Sequence, residues 1–127
     1  MESILTSIKK LLGLEEDYIQ FDTDITFHIN TVLMALTQLG IGPEAGFLII
    51  DKAQTWADFL ESQTDSLGMP TKVEAVKTYI HLKVRLIFDP PANAFVLESM
   101  DRQITELEWR LTVQVEKYMP PTTTTVV

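Results

Sequence analysis

Residues 71–95, TKVEAVKTYIHLKVRLIFDPPANAF, carry a helical apolar pattern straight into an acid and two prolines, after which apolar residues resume almost at once. Val73, Val76, Ile80, Val84 and Ile87 form one stripe, while Ala75, Tyr79, Leu82 and Leu86 form a second on another side. A helix apolar on two faces is packed by neighbours on both, so this segment is predicted to be the central helix. Pro90 disfavours helical geometry at Asp89 and neither proline offers an N–H, so the helix is expected to stop near Phe88. Pro91 is then placed to begin the next helix, where a missing donor does no harm. Phe88, Asp89, Pro90, Pro91 and Phe95 are expected to make a rigid structural corner. In that corner the two phenylalanines pack together, and Asp89 caps the following helix or holds the turn.

Beyond the corner, residues 92–118 contain neither glycine nor proline. Val96 or Leu97, Met100, Ile104, Leu107, Leu111, Val115 and Tyr118 are spaced three and four apart, which predicts one helix of roughly 40 Å at 1.5 Å per residue. A compact chain of this size has a diameter of about 36 Å, so such a helix spans the molecule or overshoots it. Its outer ridge offers Glu98 with Arg102 and Glu106 with Arg110 as i,i+4 ion pairs in the favourable order. The closing MPPTTTTVV is not helical and reads as an extended tail, either disordered alone or adding to a partner's sheet edge.

On the N-terminal side, Ile4, Leu5, Ile8, Leu11 and Leu12 predict a short amphipathic helix ended by Gly13. FDTDITFHINTVLMALTQLG follows as a second helix with Asp22 and Asp24 at its positive end, Ile25, Ile29, Val32, Leu36 and Leu39 along one face, and Gly40 as its stop. GIGPEAGFLIID reads as a loop or small hairpin and is the candidate protruding element. TWADFLESQ reads as a short helix capped by Thr55, and TDSLGMP interrupts the chain before the central helix.

Composition restricts the function classes. The 127 residues are 46% apolar, enough for one folded unit with a real core. There is no cysteine, which excludes disulfides, thiolate metal sites and a cysteine nucleophile. The N-terminus lacks the pattern of a secretory signal, and no stretch approaches the roughly 18 apolar residues of a membrane span, so the chain reads as cytosolic. Eighteen acids against ten bases give a net charge of −8, which repels phosphate backbones and disfavours tight nucleic-acid binding.

No catalytic constellation emerges. Asp24 and His28 lie one turn apart, but two ligands without a third read as cap and surface rather than a metal site. His81 has no nucleophile to activate and reads as a partly buried structural residue. Trp56 and Trp109 are each either core or an interface anchor, and Tyr79 is core. Gly40 and Gly42 do not form a phosphate loop. Catalytic residues, metal and cofactors are therefore expected to be none; a small hydrolase lacks any catalytic pair with workable spacing.

The order of DITFHINTVLMALTQLGIGP, TWADFL, VKTYIHLKVRLIFDPP, a following Phe95 and ELEWRL resembles the head-tail connector, or adaptor, proteins of tailed bacteriophages, over roughly residues 20–112. The marks are Asp24, Ile29, Asn30, Leu36, Gly40, Trp56, Tyr79, Phe88, Asp89, Pro90, Pro91, Glu106, Trp109 and Arg110, of which none is specific alone. The resemblance implies a non-enzymatic helical bundle that assembles head-to-tail on the portal protein as a ring of about twelve copies. It also implies a next tail-side connector or stopper protein as partner, and DNA passing through the bore without specific binding. The implied location is the head-tail interface of the virion, with the host cytoplasm during assembly and no membrane.

The implied portal-binding residues are Glu116, Lys117, Tyr118, Met119, Pro120, Pro121, Thr122, Val126 and Val127. The chain has only about nine residues after Tyr118, a departure from longer-tailed members. Ile41, Phe47, Leu48, Ile49 and Ile50 are the candidate subunit or tail interface. The resulting expectation is an all-α fold of about five helices with a long C-terminal helix and a small loop or β-hairpin insert. Residues 1–118 form one domain and 119–127 a flexible tail. The alternative is an acidic helical regulator or inhibitor that binds a cellular protein or mimics DNA.

Overall fold

The computed structural model describes residues 2–60 and 69–118, with side chains placed for 2–60 and 73–113. The described residues form five helices: α1 (Ile4–Leu11), α2 (Asp22–Gln38), α3 (Trp56–Leu60), α4 (Met69–Phe88) and α5 (Ala94–Tyr118), with no strand among them. The fold is all-α, as the periodicity predicts. The interruption expected over TDSLGMP falls largely on residues 61–68, outside the described residues; Met69 and Pro70 already belong to α4.

The central position of α4 follows from its two apolar stripes. It packs against α1, α2 and α5. Val73, Val76, Ile80 and Val84 are buried along one side and Tyr79 and Leu82 along the other, whereas Ile87, the last member of the first stripe, is exposed. The core that α4 organises includes Ile4 and Ile8 of α1, Ile25, Ile29, Leu33 and Leu36 of α2, Trp56, Phe59 and Leu60 of α3, and Met100, Ile104 and Leu111 of α5.

Local chemistry sets the helix ends. The Ser3 hydroxyl caps α1 by accepting from Thr6 N at 3.2 Å. At α3 a reciprocal box closes: Asp58 N donates to Thr55 Oγ1 at 3.2 Å and Thr55 N donates to Asp58 Oδ2 at 3.0 Å. An isolated antiparallel bridge, Ser3 to Thr55, ties the start of α1 to the start of α3. Gly13 and Gly40 end α1 and α2 in left-handed conformation, as expected. Asp22 and Asp24 occupy the first turn of α2, but neither caps it. The cap position belongs to Phe21, without a side-chain bond, and the Asp22 carboxylate meets Lys9 Nζ at 2.9 Å instead.

The corner after α4 differs from the prediction in three respects. The helix stops at Phe88, as Pro90 demands, but α5 begins at Ala94, not at Pro91 or Ala92. Its cap is Asn93, whose Oδ1 accepts from Phe95 N at 2.7 Å and Val96 N at 3.3 Å, so Asp89 does not fill that role. A side-chain cap satisfies two orphan donors of the first turn, which Asp89, four residues earlier, does not reach. Phe88 and Phe95 do not pack together either. The Phe88 ring meets Phe21 edge-on at 5.3 Å between centroids, while Phe95 is exposed.

Candidate interaction surfaces

The chemistry of this chain lies on its faces. Along residues 47–50 burial alternates: Phe47 packs on the core against Phe59, Ile49 is buried, and Leu48 and Ile50 are exposed. With no neighbouring strand, a side chain supplies the missing ladder. Asn30 of α2 donates from Nδ2 to the Ile49 carbonyl at 3.0 Å and accepts the Ile49 N–H at Oδ1, at 2.8 Å. Gln54 Oε1 takes the Ile50 and Asp51 N–H groups. The segment is thus strapped along α2. Of the five residues expected to form an interface here, Ile41 and Ile49 are spent on the core, Phe47 is half-buried, and Leu48 and Ile50 remain available.

Gly42 lets the loop approach so closely. Its φ is +88°, and a Cβ there would run into the Phe59 ring.

Beside Ile50 opens a cleft of about 940 Å³, whose lining includes Glu15, Glu16, Asp17, Ile19, Ile50 and Asp51. Its floor holds Lys9, almost fully buried, bonded to the Glu16 carbonyl at 2.9 Å and paired with Asp22. Sequence reasoning missed this residue. The available signal was its spacing four residues after Leu5, on the apolar face of α1.

The two tryptophans separate. Trp56 is 1% exposed and donates from Nε1 to Ser7 Oγ at 2.9 Å, a core residue with its polar atom satisfied. Trp109 is 66% exposed on the outer face of α5. On the inner face, the Tyr79 hydroxyl donates to Glu108 Oε2 at 2.7 Å, which fastens α5 to α4. Burial and the Glu108 carboxylate push that hydroxyl well above the ordinary phenol range. Of the two predicted ion pairs on α5, Glu106 with Arg110 closes at 2.7 Å; Glu98 and Arg102 do not pair.

His81 is partly buried, as predicted. Burial, and after it the Arg85 guanidinium, hold its imidazole below the ordinary histidine range, against a bond to the Leu11 backbone. The expected portal-binding residues Glu116, Lys117 and Tyr118 fall in the last turn of α5, where side chains are not placed. Met119, Pro120, Pro121, Thr122, Val126 and Val127 lie outside the described residues. Among the described residues no group of three or more metal-ligating side chains gathers, and no helix is long and apolar enough to cross a membrane.

The described residues of this helical protein leave large apolar side chains exposed on α2, on the loop at 48 and 50, and on α5. Residues 4–118 match the model of the phage connector protein family, and the chain belongs to that family. No curated protein and no solved structure matches it. Membership makes the chain a structural connector of the phage particle that works against other head and tail proteins.

Proposed function

We propose that this protein is the adaptor that docks on the portal and forms a ring of about twelve copies between capsid and tail. The observation that carries this reading is the family match over residues 4–118, nearly the whole chain. In this reading residues 1–118 act as one domain and residues 119–127 as a docking tail, with Glu116 to Tyr118 and Met119 to Val127 engaging the portal. Leu48 and Ile50 are the members of the strapped loop offered to a neighbouring copy or to the next tail-side protein. The chain works without catalysis or cofactor, is made in the host cytoplasm and ends at the head-tail junction. Its charge of −8 suits a bore through which DNA slides without being gripped.

Mass measurement by light scattering tests the proposal. Mixed with the portal ring of the same phage, the protein is expected to join it in about twelve copies. A portal peak of unchanged mass would refute portal docking.

A further inference from the structure

The chain carries two exposed apolar surfaces, one on α2 with the loop beside it and one on α5. On α2, Phe27 and Met34 lie one turn either side of Asn30 and point away from the core, 69% and 60% exposed. The Asn30 clasp on Ile49 brings Leu48 and Ile50, 57% and 81% exposed, to the same neighbourhood. On α5, Phe95, Arg102 and Trp109 recur every seven residues, on the face opposite Met100, Ile104 and Leu111. Helices α2 and α5 each pack on α4.

We infer that the two surfaces are the two halves of one head-to-tail interface: the α5 ridge of one copy seats on the α2 flank of the next. This rests on the ring reading above and names the surfaces that close it. A ring needs two different, complementary patches, since a self-complementary patch stops at a dimer. The areas agree with that role. Each flank offers apolar surface on the order of 400 Å² from its large side chains. A standard interface buries about 800 Å² per partner, rather more than half of it apolar. The centre of the ridge offers one complementary charge. Arg102, midway along the ridge, has no ion partner among the described residues, and the α2 flank carries Asp24, one turn before Phe27, and Asp51, next to Ile50.

The test uses two full-length variants, Met34→Asp and Trp109→Asp, with helicity checked by circular dichroism. Mass is measured by light scattering, at high concentration alone and on the portal ring. Wild type is expected to assemble, and each variant alone to stay monomeric in solution. An equimolar mixture of the two should give a dimer that grows no further, because one variant keeps an intact ridge and the other an intact α2 flank. If either variant assembles as wild type does, or the mixture stays monomeric, the assignment of faces is wrong while the ring reading stands. A wild type that forms no ring alone or on portal overturns both. The absence of native cysteine gives an independent measurement should an aspartate unfold the chain. Copies carrying Met34→Cys mixed with copies carrying Trp109→Cys are expected to form a mixed disulfide on oxidation. Failure to form it in assembled wild-type background would overturn the pairing.

Discussion

At the residue scale, two partly buried polar groups set measurable stability. The imidazole of His81 is held below its ordinary range, so the folded state favours the neutral form. Its contribution is complete above the unfolded-state value of about 6.5 and is lost as pH falls through that value toward the folded one. Acidification from about pH 7.5 to 5.5 should therefore lower the thermal midpoint of wild type more than that of His81→Gln. Parallel slopes would contradict the assignment. Asn30 holds the strap through both its donor and its acceptor. Asn30→Asp removes the donor and leaves the Ile49 carbonyl unmet, at a cost of about 1–3 kcal/mol. Denaturant titration should show that loss, and hydrogen exchange should show faster opening at Ile49. The pattern of residues already marked both tryptophans as either core or anchor. Only the partner of the indole N–H and the side of the helix each occupies separate them.

At the element scale, α4 stops just before the proline pair, and Asn93 decides where α5 starts. Asn93→Ala should destabilise the protein by about 1 kcal/mol, the usual worth of a side-chain cap, with the loss read from the denaturation midpoint. An unchanged midpoint would show that the cap bonds seen at Phe95 and Val96 are replaced by water at no cost. The helices themselves were legible because 3.6-residue periodicity is a local property: α1, α2, α4 and α5 lie within a few residues of their predicted spans. The stop at Phe88 was equally legible, since a missing N–H acts on its own chain. What the sequence did not reveal were choices among competing partners. Phe88 packs on Phe21, far away in sequence, rather than on Phe95, and Asp22 takes Lys9 rather than the α2 cap. The loop 41–50 was open to a small hairpin, but no second strand arrives among the described residues. The Asn30 side chain takes that place, and no local pattern announces it.

At the scale of the whole molecule, the same helices that bury one face leave another exposed. Among the described residues nothing covers the exposed side chains of the α5 ridge and the α2 flank, and the ring proposed above would bury both. A reconstruction of the phage neck by electron microscopy, with this chain bearing a small density label, tests the account most directly. The account predicts a ring of labels, about twelve, seated on the portal with α5 of each copy against α2 of its neighbour. Labels scattered over the capsid, confined to the distal tail, or missing from the particle would contradict it.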